Sequence, residues 1–184
     1  MNSKSSLRLS RVETLLEALR IPLELVASRG LQMCDEAREL VIVEVDEDGR
    51  EHLLLPAAAD AWRELRDSAL ADGVTLRIAS AFRSLDRQAE LIRRKLDRGL
   101  SIESILASSA PPGYSEHHSG RAVDVITPDS APLEAEFEQT EAFRWLTEKA
   151  ALFRYEMSFP RGNPYGYVYE PWHWCFRDQT GEKQ

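Results

Sequence analysis

The 184-residue chain contains four histidines. Two are adjacent in Ser115-Glu116-His117-His118-Ser119-Gly120-Arg121-Ala122-Val123-Asp124, and a third, His173, lies in Tyr169-Glu170-Pro171-Trp172-His173-Trp174. Histidines, an aspartate and a spare glutamate are the components of a mononuclear zinc site with an acid–base group beside it. Asp124 interrupts the apolar run Ala122-Val123-Asp124-Val125-Ile126. Burying an unpaired carboxylate costs several kcal/mol, so it needs a cation, hydrogen bonds or a strand end. The spacing between His117 and Asp124 is not the helical His-x-x-x-His of many zinc peptidases, so convergence would be of a loop on a strand. From spacing alone, His118 competes with His117 as the ligand. His173 supplies a third ligand, which leaves one position for water. Water held there, with its pKa lowered to about 7, is a usable nucleophile. Glu170 sets a carboxylate beside it to take a proton and return it to a leaving amine. Arg83 is a permanent cation suited to gripping a carboxylate or an oxyanion. A single His/Asp pair is more often a structural hydrogen bond than a ligand pair; the four residues His117, Asp124, Glu170 and His173 together favour the metal.

These residues must be carried by elements that converge. Residues 1–8 read as disordered. Ser10-Arg11-Val12-Glu13 has the capping-box spacing, and Val12, Leu15, Leu16 and Leu19 follow as an apolar stripe. Runs at 39–45 and 51–55 around Asp48-Gly49 predict a β-hairpin. His52 lies on its second arm, where a surface or packed role is expected. Pro56 is placed to open a helix that ends at Gly73, and residues 74–79 form a short strand. Ser80-Ala81-Phe82-Arg83-Ser84 is then the exit into a helix capped by Ser84, with Leu85, Ala89, Ile92 and Leu96 on its buried face. Pro111-Pro112-Gly113 forces a loop, and Gly120 permits a sharp turn or a close backbone approach. Residues 122–126, 155–159, 167–170 and 173–176 are strand-like, and 133–152 is mostly helical. Helices and short strands mix without regular alternation, which predicts an α+β fold. One compact domain with a small antiparallel sheet flanked by helices is expected, together with an N-terminal helical extension. The divisions are 1–50 (helical extension and start of the hairpin), 51–177 (the zinc-bearing domain) and 178–184 (a polar tail).

Composition narrows the function. The net charge of −8 argues against a nucleic-acid partner, because binding phosphates needs clustered Lys and Arg. No stretch reaches the apolar length of a membrane span. Glu13, Glu17 and Arg20 break what would otherwise be a signal-peptide core, so a cytoplasmic location is expected. Cys34 and Cys175 supply no disulfide framework.

Three segments in order resemble a known family. The stretch from Ser115 to Asp124 resembles the Ser-x-His-x-x-Gly-x-Ala-x-Asp signature of VanY-type D-alanyl-D-alanine carboxypeptidases, zinc peptidases of the wider LAS group, which also includes VanX-type dipeptidases and L,D-carboxypeptidases. Glu170-Pro171-Trp172-His173 is similar to the family's Glu-Pro-Trp-His, and Ser80–Ser84 with Gln88 is similar to its Tyr/Phe-Arg-Ser…Gln segment. The likeness covers roughly residues 55–177. It implies zinc held by His117, Asp124 and His173, which selects His117 over His118. It implies Glu170 as catalytic base and Arg83 as stabiliser of the tetrahedral intermediate or holder of the substrate. It places Gln88, Ser115 and Tyr114 in the substrate cleft, with Ser158 at the terminal carboxylate. The implied substrate is a small peptide or peptidoglycan fragment ending in D-alanine, with D,D-cleavage favoured. An L,D-carboxypeptidase or a peptidoglycan endopeptidase would share the signatures. A non-catalytic wall-peptide binding module is the alternative of another class, and the presence of Glu170 argues against it. Phe153-Arg154-Tyr155 departs from the family's Tyr-Gly-Phe.

Overall fold

The computed structural model describes residues 3–128 and 130–178, with side chains from residue 9 onward. Six α-helices are α1 (Ser3–Ala18), α2 (Leu23–Ser28), α3 (Pro56–Ala71), α4 (Leu85–Asp97), α5 (Ile102–Leu106) and α6 (Glu141–Lys149). Six strands are β1 (Val41–Val45), β2 (Glu51–Leu54), β3 (Arg77–Ser80), β4 (Ala122–Ile126), β5 (Tyr155–Met157) and β6 (His173–Phe176). All the pairings are antiparallel, so the class is α+β. The strands divide into two sheets, the hairpin β1–β2 and a four-stranded sheet of order β3-β4-β6-β5. Among the described residues no helix is long and apolar enough to cross a membrane.

Alternation along the central strands gives the larger sheet two different faces. Val123 and Val125 of β4 and Trp174 and Phe176 of β6 turn to one side, into a core shared with Trp62, Leu65 and Ala69 of α3 and Trp145 and Leu146 of α6. Asp124 and His173 turn to the other. Register then does the positioning: Asp124 lies opposite Ser80 on β3 and opposite His173 on β6. Strict alternation would put Ser80 on the same face as the core residue Ile78. A bulge between Ile78 and Ser80 adds a residue to β3 and turns Ser80 towards Asp124.

A second core lies apart from this. Val12 and Leu16 of α1, with Leu19, Ile21 and Val26, pack against Leu85, Ala89 and Ile92 of α4 and Ile105 and Leu106 of α5. Ser84 caps α4, its hydroxyl accepting from Arg87 N–H at 3.1 Å.

Three local expectations are corrected. Residues 3–8 belong to α1 instead of being disordered, and residues 1–2 lie outside the described residues. Ser10 caps nothing: it sits inside α1, and its carbonyl accepts from the Thr14 hydroxyl. Residues 167–170 are not a strand. Their amides go to scattered acceptors, Tyr167 N–H to Asn163 Oδ1, Val168 N–H to Ala107 O and Glu170 N–H to Phe159 O, so no ladder forms. Residues 179–184 of the expected polar tail lie outside the described residues. Cys34 and Cys175 form no disulfide.

Candidate metal centre and cleft

His117 sits on a 3₁₀ turn, Glu116–Ser119, closed by Gly120 in the left-handed region at φ 66°. The turn makes few regular hydrogen bonds of its own, yet it is held from three sides. Arg83 N–H donates to His117 O at 3.1 Å, Ala37 N–H to His118 O at 2.8 Å, and Leu55 N–H to Gly120 O at 2.8 Å. A Cβ on Gly120 would come within 2.9 Å of Leu40 Cδ2 and 3.1 Å of Leu55 N, so the hairpin end can approach this closely only because the residue is glycine.

The turn brings three buried side chains together. His117, Asp124 and His173 each offer one ligand atom, and these atoms lie within 4.8 Å of one another. His117 Nε2 is 3.2 Å from Asp124 Oδ2, and His173 Nδ1 is 3.0 Å from Asp124 Oδ1. The other nitrogen of each ring is held: His117 Nδ1–H donates to Ala81 O at 2.7 Å, and His173 Nε2–H to Glu116 Oε2 at 3.0 Å. Such outer contacts fix ring orientation and tautomer in metal sites. The donor set fits a metal on chemical grounds, with two aimed imidazole nitrogens and a carboxylate on one buried point. His118 is excluded from the set. Its Nδ1–H donates to Arg83 O at 2.6 Å and its Nε2 accepts from Gly113 N–H at 3.1 Å, so both nitrogens serve the backbone. His52 is buried on the hairpin, 3.4 Å from Asp46.

The electrostatics are those of a cluster short of positive charge. Burial would raise the Asp124 carboxyl, but His117 and His173 outweigh it and hold it below the usual carboxylate range. Burial alone would depress His173; hydrogen bonds and charge from Asp124 and Glu116 instead hold it up at about 10. Burial lowers His117, with Asp124 opposing. Burial likewise acts to raise Glu116, yet His173, Arg177 and Ser158 keep it below its ordinary value. The metal-free site therefore carries a proton on His173 in the place of a cation.

A cleft of about 250 Å³ opens over these residues. Glu170 lines it, 9% exposed, with its carboxyl pushed up to about 7 mainly by burial. Pro171 and Trp172 form a turn in which His173 N–H donates to Glu170 O at 3.1 Å, so Glu170 and His173 are fixed to each other. Arg83 reaches in from the β3–α4 junction and donates to Gln88 Oε1 at 2.8 Å and Ser80 Oγ at 2.9 Å, with Asp124 Oδ2 at 3.8 Å. Gln88 is buried and also donates to Ala110 O, so it orients Arg83 across the wall of the cleft. Ser115 is buried in the lining.

Two expected substrate residues are not brought there. Tyr114 packs against the second core and does not line the cleft. Ser158 does not line the cleft either; its hydroxyl donates to Glu116 Oε2 and accepts from Arg177. Sequence reasoning missed Phe159, whose ring lies 4.7 Å from that of His173, and the outer role of Glu116. Glu116 stands one residue before His117, but nothing in the sequence signals its pairing with His173.

A family model, VanY, described as D-alanyl-D-alanine carboxypeptidase, matches residues 51–179. The chain belongs to the VanY family. It is similar to the D-alanyl-D-alanine carboxypeptidase of Enterococcus faecalis (strain ATCC 700802 / V583), 32% identical over 124 residues, which are 62% of this chain and 44% of that protein. Its fold is similar to that of the LdcB LD-carboxypeptidase, with a TM-score of 0.68, 28% identity and coverage of 77% of this chain and 69% of that one. It is also similar to VanYB in complex with D-alanine-D-alanine, with a TM-score of 0.58, 27% identity and coverage of 76% and 77%. The chain spans about half the length of the curated relatives it matches, 53% and 44%. The VanY match begins at Glu51, so α1, α2 and β1 lie outside it.

Proposed function

We propose that the chain is a zinc carboxypeptidase that removes a terminal D-alanine from peptidoglycan-type peptides, with D,D-cleavage favoured. The observation that carries this reading is the aim of His117 Nε2 and His173 Nδ1 at Asp124, with Glu170 in the same cleft. Two nitrogens and a carboxylate suit tetrahedral zinc with one open position. Zinc, when bound there, supplies a Lewis acid and lowers the pKa of a bound water to about 7. Glu170 takes the proton from the attacking water and delivers it to the departing amine. A carboxyl near pKa 7 suits both halves of that transfer. Arg83 is oriented by Gln88 and Ser80 towards the scissile carbonyl, where it stabilises developing negative charge. Phe159 and Trp172, both in the lining, narrow the cleft and limit water around the peptide.

An L,D-carboxypeptidase is the second reading, supported by the likeness to the LdcB LD-carboxypeptidase. Incubating zinc-loaded protein with peptides ending in D-Ala-D-Ala and with peptides ending in an L-centre followed by D-Ala tests both. Release of D-alanine is expected, faster from the D,D series; faster release from the L,D series assigns the second reading. Glu170→Gln should keep its zinc and lose about 10²–10⁴ in kcat. No release from either series by a zinc-saturated protein overturns the proposal, and binding without turnover would mark a wall-peptide binding module.

A further inference from the structure

The cleft contains a second cation that the chemistry above leaves without a role. Gln88, Leu91 and Lys95 of α4 line the cleft, and their spacing of three and seven puts them on one helical face. Lys95 Nζ donates to Ser109 Oγ at 2.7 Å, while Gln88 Nε2 donates to Ala110 O at 2.6 Å. α4 and residues 108–110 thus make one wall, with Ser108 and Ser109 in the lining. The other cations around the site are engaged. Arg83 has Gln88, Ser80 and Asp124; Arg177 has Glu116 and Ser158. Lys95 is half-buried, yet among the described residues no carboxylate forms an ion pair with it. An ammonium has three donors, and the serine hydroxyl takes one. A partly desolvated cation without a counter-ion is costly, and an anionic ligand relieves that cost.

We propose that Lys95, with Ser109, receives the terminal carboxylate of the substrate and makes the site select peptides with a free C-terminus. The inference rests on the carboxypeptidase reading. In such a substrate only an amide nitrogen and one α-carbon separate the scissile carbonyl from the carboxylate carbon. The carboxylate must therefore sit in the same cleft as the groups that handle the carbonyl. Lys95 meets this condition, since it lines the same cleft as Arg83 and Glu170. The lysine is a point charge on a flexible stem, which grips a carboxylate without dictating the side chain beside it.

The test uses the zinc-loaded full chain and a matched pair of peptides, one ending in D-Ala-D-Ala with a free carboxylate and one with that carboxylate amidated. Wild type should strongly prefer the acid. Lys95→Met should raise KM for the acid at least about tenfold with kcat little changed, as expected for a lost hydrogen bond to a charged group. It should also narrow the acid-over-amide preference, and Lys95→Arg should restore part of it. Calorimetric titration of D-alanine and of D-alaninamide into metal-free protein gives a readout independent of turnover. D-alanine should bind wild type more tightly than Lys95→Met, and D-alaninamide should not distinguish them. Wild-type turnover with Lys95→Met unchanged in KM and preference overturns the role of Lys95. If wild type cleaves neither peptide, the carboxypeptidase reading fails, and the titration then decides on Lys95 by itself: D-alanine binding that Lys95→Met does not weaken overturns it.

Discussion

Asp124 satisfies two imidazoles and one guanidinium from a position inside an apolar strand, and the protein holds it there ionised. The cost of burying that carboxylate is offset, in the metal-free protein, by the proton on His173. That proton has a measurable consequence. His173 holds its proton up to about pH 10, while an unfolded histidine releases it near 6.5. A group whose folded pKa is raised contributes stability that is complete below the unfolded value and is lost as pH rises through the folded value. Between about pH 6.5 and 10 the metal-free protein should therefore lose stability at up to ~1.4 kcal/mol per pH unit from this residue. Denaturant melts of metal-free wild type and His173→Asn over that range check this, and the variant should lack the slope. For the same reason zinc uptake must expel a proton, so zinc affinity should rise with pH and its binding heat should depend on the buffer. At this scale the cluster of His117, Asp124 and His173 was readable in the sequence, because a histidine and an aspartate stand out in short local patterns. Glu116 and Lys95 were not. The partner of Glu116 is 57 positions away, and Lys95 in Ile92-Arg93-Arg94-Lys95-Leu96 differs from its neighbours only by the phase of the helix.

The elements that carry the site are held by contacts between neighbours more than by their own regularity. The segment 31–40 has no helix or strand, yet it braces the His117 turn. Cys34 N–H donates to Gly113 O at 2.8 Å and Ala37 N–H to His118 O at 2.8 Å. Glu36 Oε1 accepts from Leu85 N–H at the start of α4, and its other oxygen faces Arg11 of α1 at 3.6 Å. Gly120→Ala places a Cβ at φ 66° against Leu40 and the Leu55 amide. It should cost about 1–3 kcal/mol and weaken zinc binding, seen as earlier loss of metal to a chelator. The helical stripe of α1 was visible as an apolar pattern but read as part of an extension. In the structure α1 supplies much of the second core, and Leu16 is 1% exposed. Leu16→Ala should cost about 2–5 kcal/mol and lower the midpoint of one shared transition, with no separate early phase for α1. The bulge in β3 and the loop path of 167–170 were beyond sequence reasoning, since both are set by long-range pairing and not by local preference.

At the scale of the molecule, two cores meet at the site. The sheet with α3 and α6 supplies Asp124 and His173, and α4 with its neighbours supplies the wall that carries Gln88 and Lys95. A metal that binds only the folded chain should stabilise the whole by about 2.7 kcal/mol at a hundredfold excess over its Kd. Chelation should accordingly lower the midpoint of the single melt, and zinc should restore it. Net charge of −8 coexists with a cleft whose lining sets Arg83 and Lys95 beside Glu116, Asp124 and Glu170, so overall charge does not describe the site. The class α+β was legible from the mixture of short elements, whereas the separation of hairpin and main sheet depended on pairings no local pattern records. The hairpin end returns here. Phe82 N–H donates to Leu53 O, Leu55 N–H to Gly120 O and Arg83 N–H to His117 O, so the end of β2, the β3 exit and the histidine turn are stitched by three amides. In deuterated solvent these amides should behave as a clock: Leu55, Phe82 and Arg83, though outside regular strands, should keep their protons about as long as the β4 amides, since none can open without releasing the others.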